Sequence, residues 1–170
     1  LFVSSSEVYG TALQDENPIK ENSSGCVDQL DPRSCYAESK RLGESMCLAW
    51  FNQYSVPISI IRPFHIYGPG IRPDDGRIFS DFVYDIVNHR DLTIFSDGKA
   101  RRSFCYLSDA TEAVFRVLLG NNRDKIYNLG NPSAEISIER LGELLISLYP
   151  ERNLRLVRKK RTVNGGYIKS

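Results

Sequence analysis

Tyr36 and Lys40 are the two residues whose types and spacing best suit a chemical role. They lie in the stretch YAESK, four positions apart, so on a helix their side chains project from the same face. A free tyrosine has a pKa of about 10, and an ammonium group held close to a phenol stabilises its phenolate and lowers that pKa. The pair is a candidate general base, and the alternative is an ordinary surface tyrosine and lysine.

Further groups able to exchange protons precede this pair. Leu1–Val3 is a short apolar run typical of the end of a buried strand, and Ser4, Ser5 and Ser6 follow directly, with Glu7 after them. The serines are candidate hydroxyl donors at the strand end. The alternative for all three is capping of the strand end, which we favour for Ser4.

The remaining patterns alternate between strands and helices. The dipeptide Asp31-Pro32 and the apolar residues after it predict a helix over residues 33–54, and VPISIIRP predicts a buried strand over 56–63. The later predictions are a loop over 64–77, a helix over 78–89, strands over 92–95 and 102–107, a helix over 108–119 capped by Ser108, a strand over 125–129, a helix capped by Ser137 and a strand over 154–157. Such alternation predicts an α/β fold with a largely parallel sheet.

Composition narrows the classes of partner. The formal net charge is +1, which argues against nucleic acid or an anionic membrane surface as a partner. The basic run over residues 155–161 is interpreted as a solvated strand edge, and no apolar run approaches the roughly 20 residues of a membrane span. Four cysteines without C-x-x-C spacing predict small core residues, no metal site and a cytoplasmic location.

Several motifs in order resemble the extended short-chain dehydrogenase/reductase family, the NAD-dependent epimerases, dehydratases and decarboxylases of nucleotide sugars. They are SSSEVYG, YAESK, RPFHIYGPG, LTIFSDGKARRSFCYLSDA and YNLGNP. The resemblance implies the C-terminal part of a Rossmann-type parallel sheet plus a small α/β substrate-binding lobe. Residues 1–63 would be the last portion of the NAD-binding domain with the catalytic helix, and 64–170 mainly the nucleotide-sugar lobe with some returning Rossmann elements.

The chain contains no G-x-x-G-x-x-G turn, the device by which such enzymes bind the NAD pyrophosphate. We therefore interpret it as a fragment without the glycine-rich first βαβ unit, and we predict that it binds NAD poorly by itself. The residues that the resemblance places around NAD are Ser4, Tyr36, Lys40 and Pro63.

The resemblance also implies the catalytic roles. Tyr36 would take the proton of a sugar hydroxyl while hydride passes to NAD, Ser5 would hydrogen-bond the reacting oxygen, and Lys40 would bind the nicotinamide ribose and tune Tyr36. Glu7 would position the sugar or assist proton transfer, and its alternative is a loop carboxylate bonded to backbone amides.

The dipeptide Ser6-Glu7 before Val-Tyr-Gly looks most like the UDP-glucuronate decarboxylases, since dehydratases carry Asp-Glu there and 4-epimerases usually lack the glutamate. Decarboxylation of UDP-glucuronate is thus the predicted reaction. A 4,6-dehydratase or 4-epimerase is the first alternative, and a non-catalytic nucleotide-binding relative is the second.

The predicted substrate is a nucleotide sugar, with a UDP-sugar favoured, and the residues predicted to bind it are Ser6, His65, Arg77, Phe95 and Arg102. His65 replaces the asparagine usual in the family, and its alternative is a loop histidine without a role. Arg101 is an alternative to Arg102 for holding a carboxylate or diphosphate, and Phe95 is alternatively a core residue.

The resemblance finally implies a homodimer in which the Tyr36–Lys40 helix pairs with its counterpart. Met46, Trp50 and Phe51 would supply the apolar face, and core packing within one chain is the alternative.

Overall fold

The computed structural model describes residues 1–10, 18–73, 75–120 and 126–159. Four helices are present in these ranges: α1 (Ser34–Tyr54), α2 (Ile78–Val87), α3 (Leu107–Leu119) and α4 (Ile138–Ser147). The strands are β1 (Phe2–Val3), β2 (Ile60–Pro63), β3 (His65–Tyr67), β4 (Leu92–Ile94), β5 (Arg101–Tyr106), β6 (Ile126–Leu129), β7 (Glu135–Ser137) and β8 (Leu156–Arg158). No helix in the described ranges is long and apolar enough to cross a membrane.

The chain divides into two compact units. The first comprises Leu1–Ile66 and Cys105–Pro132, and the second comprises Tyr67–Phe104 and the described residues from Ser133 onward. The chain therefore leaves the first unit within β3 and returns to it through the end of β5 and α3. The assignment of the two parts to cofactor and sugar binding stays a prediction.

The first unit is built on a parallel sheet in the order β1-β2-β6. Phe2 is in register with Ile60, and Ile60 in turn with Ile126, so three separate stretches of chain meet side by side. A core of Ile61, Cys105 and residues of α3 covers this sheet. The predicted α/β fold with a parallel sheet is confirmed.

Helix α1 supplies the other layer of this unit. It begins after a turn in which the Arg33 N–H donates to Asp31 Oδ1 at 2.9 Å, and it ends at Ser55, whose backbone is left-handed with φ 56°. Gly43 lets the helix approach β1 closely, because a Cβ there would lie 2.4 Å from Phe2 Cζ. This approach brings the helix that carries Tyr36 against the strand that carries the serines.

The second unit has its own core and two small sheets. Strand β4 pairs in parallel with β8, and β5 pairs antiparallel with β7, the sheet that also includes β3. The Ser137 hydroxyl caps α4 by accepting from the Arg140 N–H at 3.2 Å, as the sequence predicts. The buried apolar residues of this core are Phe82, Ile86, Leu92, Ile94, Phe104, Ile138 and Leu141.

Several local predictions were wrong. Residues 65–67 form a strand rather than a loop, and the buried strand before them begins only at Ile60, where its register with β1 begins. Ser108 does not cap α3, which starts one residue earlier, and its hydroxyl donates to Asp109 instead. The predicted positions that fall on residues 74, 125, 160 and 161 lie outside the described residues.

The cysteine prediction holds for one of its members. Cys105 is buried in the first core, as a small apolar residue would be, whereas Cys26 and Cys35 are exposed and Cys47 is half-buried. All four are free thiols. In the described part of the chain, no group of three histidine, cysteine, aspartate or glutamate side chains is placed to hold a metal.

Candidate active site

Tyr36 and Lys40 occupy the first two turns of α1 and lie side by side. The Lys40 Nζ is 5.8 Å from the centroid of the Tyr36 ring and 5.6 Å from that of Phe2. It also donates to the backbone oxygen of Val3 at 3.0 Å. The ammonium thus joins the phenol to the carboxyl end of β1, while the Tyr36 side chain stays 50% exposed.

The serines after β1 differ in what their hydroxyls contact. Ser4 continues the sheet through its N–H, which donates to Ile61 O at 2.8 Å, and its buried hydroxyl donates to Glu44 Oε1 at 2.5 Å. The Ser5 hydroxyl accepts from the Glu7 N–H at 3.2 Å. A hydroxyl that accepts in this way still carries its own proton for donation. Ser6 is half-buried.

A tight backbone crossing shapes the turn that follows. Residues Ser6–Tyr9 form one 3-10 turn, and Gly10 then bridges to Cys26 with φ 57°. A Cβ on Gly10 would lie 2.0 Å from the Cys26 carbonyl oxygen, so only glycine fits. The turn leaves Glu7 exposed, two positions after Ser5, at the carboxyl end of the strand.

Sequence reasoning missed the most buried charges of the first unit. Glu44 on α1 and Arg62 on β2 form a bidentate ion pair, with Arg62 Nε 2.8 Å from Glu44 Oε1 and Arg62 Nη2 2.6 Å from Glu44 Oε2. Burial by itself raises the pKa of Glu44, but hydrogen bonds from Arg62 and Ser4 outweigh it and lower that pKa below the ordinary value. Hydrogen bonds to Glu44 and Tyr9 raise the pKa of Arg62 against the effect of burial, so both Glu44 and Arg62 are charged.

Arg62 extends this ion pair into a longer network. Its Nη1 donates to the Tyr9 hydroxyl at 2.7 Å and to the Glu21 carbonyl at 2.9 Å. The Tyr9 hydroxyl donates in turn to Asn128 Oδ1 at 2.7 Å. Within the described residues, every buried side-chain nitrogen and oxygen has a hydrogen-bond partner. One signal was available beforehand, since Glu44 follows Lys40 at the same four-residue spacing by which Lys40 follows Tyr36.

Two more predicted residues lie where β2 ends. Pro63 is half-buried and is in register with Leu129 of β6. The Leu129 carbonyl accepts a hydrogen bond from the N–H of Phe64, the residue after Pro63. His65 is half-buried in β3. The first unit therefore contains Ser4, Ser5, Ser6, Glu7, Tyr36, Lys40, Pro63 and His65.

The other three predicted residues belong to the second unit. Arg77 precedes α2 and pairs with Asp75 at 2.8 Å, and Phe95 follows β4 with its ring 54% exposed, so it is not a core residue. Arg102 is exposed on β5 and donates to the Arg101 carbonyl at 2.8 Å.

Arg101 differs from its neighbour in having an acidic partner, because its guanidinium pairs with Glu135 at 3.1 Å. Successive side chains of a strand point to opposite faces, so the two arginines serve different surfaces. Of the two, Arg102 is the better candidate for an external anion, since Arg101 already has a carboxylate.

A parallel α/β sheet whose first strand is followed by serines, beside a helix with Tyr and Lys one turn apart, is the arrangement that the sequence resemblance to the short-chain dehydrogenase/reductase class predicts. The model of the NAD dependent epimerase/dehydratase family matches residues 1–130, and the chain belongs to this family. The family prediction is therefore confirmed.

Among curated proteins, the chain is similar in sequence to UDP-glucuronic acid decarboxylases. The chain is 39% identical over 145 residues to UDP-glucuronic acid decarboxylase 1 of Arabidopsis thaliana, covering 85% of this chain and 32% of that protein. It is 37% identical over 158 residues to UDP-glucuronic acid decarboxylase 6 of the same plant, covering 92% of this chain and 45% of that protein. The chain thus spans about a third to a half of the length of these relatives.

Solved structures share the fold. A UDP-glucuronic acid 4-epimerase from Bacillus cereus, in complex with UDP-glucuronic acid and NAD, matches with a TM-score of 0.74 and 26% identity, covering 93% of this chain and 47% of that one. A UDP-N-acetylglucosamine 4-epimerase from Methanobrevibacter ruminantium has a TM-score of 0.81 over 99% of this chain and 51% of its own, at 24% identity. The second of these is evidence for the fold alone.

Proposed function

We propose that this chain carries the catalytic residues of an NAD-dependent enzyme that converts UDP-glucuronate to UDP-xylose by decarboxylation. The observation that carries the proposal is the Lys40 ammonium, 5.8 Å from the Tyr36 ring and bonded to the end of β1. The identity of 39% to a UDP-glucuronic acid decarboxylase supports the choice of reaction.

Tyr36 is the proposed base. Its half-exposed phenol can reach a bound sugar, and the Lys40 ammonium lies 5.8 Å from the centroid of its ring. Tyr36 then takes the proton of the sugar C4 hydroxyl, and the Ser5 hydroxyl donates to the oxygen that becomes the ketone. NAD, when bound, supplies the hydride acceptor for C4 and returns the hydride later.

The residues present fit the nicotinamide end of NAD. Lys40 has three N–H donors, one of which is bonded to Val3 O at 3.0 Å, and it stands beside a half-exposed phenol, which suits a ribose hydroxyl. Ser4 and Pro63 stay predicted cofactor contacts, although the Ser4 hydroxyl is bonded to Glu44.

The decarboxylation itself needs little from the protein. A ketone at C4 places the C5 carboxylate in the β position, so the C5–carboxylate bond breaks with its electron pair delocalised onto the C4 oxygen as carbon dioxide leaves. Tyr36, now protonated, can return a proton to that oxygen during reduction. C5 takes a proton from solvent to complete the decarboxylation. Glu7, exposed at the end of the strand, is proposed to position the sugar or to relay that proton.

Contacts to the nucleotide sugar are proposed for Ser6, His65, Arg77, Phe95 and Arg102. Two observations in the second unit support this assignment. Phe95 exposes more than half of its ring, as a residue stacking on a base would, and Arg102 presents its guanidinium on an exposed strand face. The Ser6 and His65 contacts rest on the sequence resemblance.

Epimerisation at C4 is the second candidate function. It requires the same oxidation by the same base, and the UDP-glucuronic acid 4-epimerase at 26% identity supports it. A dehydratase is less well supported, because Ser6 stands where that group carries an acid. A non-catalytic nucleotide-binding protein would have no need of Ser5, Tyr36 and Lys40 together.

One incubation separates these candidates. The complete gene product that contains residues 1–170 is mixed with UDP-glucuronate and NAD, and the nucleotide sugars and carbon dioxide are measured. UDP-xylose with an equal amount of carbon dioxide supports the decarboxylase. The C4 epimer without gas release supports the epimerase, and an unchanged substrate argues against both.

A homodimer through α1 is part of the proposal. Leu42, Met46, Trp50 and Tyr54 follow one another at four-residue intervals, and each is more than half exposed. Packing within this chain therefore does not account for Met46 and Trp50, and a second copy of α1 would cover them. We also propose a cytoplasmic location, which the four free thiols support.

A further inference from the structure

Tyr36, Lys40 and Glu44 form one ridge of α1 that passes from the surface into the interior. They are spaced four residues apart, so each lies about one turn beyond the last. The Tyr36 side chain is 50% exposed, Lys40 is half-buried and Glu44 is only 6% exposed. The Tyr36–Lys40 pair therefore forms the outer end of this ridge, and the buried Glu44 carboxylate forms its inner end.

The Glu44 carboxylate accepts hydrogen bonds from residues at two neighbouring strands, β1 and β2. Its Oε1 accepts from the Ser4 hydroxyl, at the end of β1, and from Arg62 Nε on β2, at 2.5 and 2.8 Å. Ser4 directly precedes Ser5, so fixing Ser4 also fixes the backbone that presents the Ser5 hydroxyl. The position of the α1 ridge relative to Ser5 is thereby set by one side chain.

The energetics of such a pair favour a geometric role over a stabilising one. Buried ion pairs gain little over well-packed apolar residues, because the desolvation of both charges offsets their attraction. A bidentate Arg–carboxylate ion pair is instead strongly directional, and a buried network in which every polar group has a hydrogen-bond partner is rigid. The Glu44–Arg62 pair meets both conditions, with two short bonds and further bonds to Tyr9 and Glu21.

We propose that Glu44 and Arg62 are positioning residues that set the distance between the Tyr36–Lys40 pair and the Ser5 hydroxyl. The inference rests on the proposed function, which supplies the roles of these three groups. Proton transfer is sensitive to such placement, since a shift of about 1 Å can lower a rate about a hundredfold. Substrate affinity, which depends on other residues, should change little.

The first test compares two near-isosteric variants in the complete gene product. Glu44→Gln removes the charge, and Arg62→Lys keeps a charge but loses the planar fork. We expect kcat for UDP-glucuronate to fall at least tenfold in both, with KM within twofold of wild type. Glu112→Gln, which breaks the exposed ion pair with Arg116 in the same unit, is the matched control and should leave both constants unchanged. An unchanged kcat, or an effect confined to KM, would contradict the proposal.

A second variant separates positioning from simple loss of stability. The double variant Glu44→Leu/Arg62→Met replaces the ion pair by apolar side chains and should unfold at a higher temperature than Glu44→Gln. We expect its kcat to stay at least tenfold below wild type although its stability recovers. If kcat recovers together with the melting temperature, the pair is merely structural and the proposal is wrong.

A crystal structure of the double variant tests the inference without any assay. We expect the Lys40 Nζ to move away from Val3 O, 3.0 Å distant in the wild-type structure, or the Tyr36 ring to shift by about 1 Å relative to Ser5. Unchanged positions would overturn the positioning role. Absence of turnover in the wild-type protein would instead refute only the proposed function.

Discussion

Arg62 and Glu44 face each other across β2 and α1, with Nη2 2.6 Å from Oε2 and side chains only 9% and 8% exposed. Solvent barely screens either charge, so each depends on the other for compensation. The exposed pair of Arg116 and Glu112 on α3 has the same 2.6 Å separation but side chains 78% and 63% exposed. Equal distances therefore do not imply equal consequences when a partner is removed.

Glu44→Gln should lower the free energy of unfolding at pH 7 by about 3–5 kcal/mol, because Arg62 is left buried without its counter-charge. Urea unfolding followed by circular dichroism measures this loss. Glu112→Gln should change the same free energy by less than about 1 kcal/mol, since water already screens that pair. Similar losses in the two variants would contradict this account of burial.

Lowering the pH should reduce the free energy of unfolding of the wild-type protein because Glu44 becomes protonated. The pKa of folded Glu44 lies below its ordinary value of 4.5, so its ionised form stabilises the fold fully above pH 4.5 and loses that effect as the pH falls through the lowered pKa. The difference in unfolding free energy between wild type and Glu44→Gln should be constant from about pH 8 to 5 and shrink below about pH 4. Urea titrations across this range test the sign, and a difference that grows in acid would refute it.

Tyr36→Phe should abolish most turnover, because it removes the proposed base and leaves the ring in place. A loss of about 10²–10⁴-fold in kcat is expected for a missing general base. Tyr54→Phe removes a phenol hydroxyl from the last turn of the same helix and should have no such effect. With the variants made in the complete gene product, product formation from UDP-glucuronate gives kcat, and fluorescence titration with NAD checks that binding survives.

Arg102→Ala should weaken the binding of UDP-glucuronate about tenfold to a hundredfold, the effect of losing a charge-assisted hydrogen bond of about 1.5–3 kcal/mol. Arg101→Ala is the matched control, since that guanidinium already pairs with Glu135 at 3.1 Å. Calorimetric titration with UDP-glucuronate and with UDP alone identifies the contact. Loss for both ligands would assign Arg102 to the diphosphate, and loss for UDP-glucuronate alone to the carboxylate.

The parts of the fold that sequence predicts well are those determined locally. Helix α1 was expected over 33–54 and spans Ser34–Tyr54, because Asp31, Pro32 and apolar spacing all favour its start at one place. The adjacency of Tyr36 and Lys40 follows from helical geometry in the same way. Ser137 was correctly identified as a cap because its side chain bonds within its own turn.

The features that sequence missed depend on distant parts of the chain. Glu44 reads as an ordinary polar residue of an amphipathic helix, and only the packing of α1 against β2 reveals Arg62 as its partner, 18 positions away. Likewise, β3 is too short to show a strand pattern and depends on β5, far along the chain. Met46 and Trp50 were equally ambiguous, because apolar spacing cannot distinguish a core face from an exposed one.

Gly10→Ala should destabilise the protein strongly. Both Gly10 and Gly70 have positive φ, 57° and 91°, so alanine introduces backbone strain on the order of 1–3 kcal/mol at either position. Only at Gly10 would the new methyl group meet backbone, 2.0 Å from Cys26 O, whereas at Gly70 nothing lies within 4 Å. The melting temperature should therefore fall further for Gly10→Ala than for Gly70→Ala, and equal falls would show that the backbone crossing of residues 9–10 and 25–26 can relax.

Trp50→Glu should convert the proposed dimer to a monomer. Leu42, Met46, Trp50 and Tyr54 are each more than half exposed, and the Trp50 and Tyr54 rings lie with centroids 5.2 Å apart at an angle of 52°. A carboxylate at this position costs the folded monomer little because solvent can reach it, but burial against a second copy of α1 would leave the charge unpaired. Leu119→Glu on α3, where the leucine is 78% exposed, places the same charge on another surface and should preserve the dimer. Light scattering after gel filtration measures the mass, and a Trp50→Glu protein that retains the wild-type dimer mass would show that this face is not the interface.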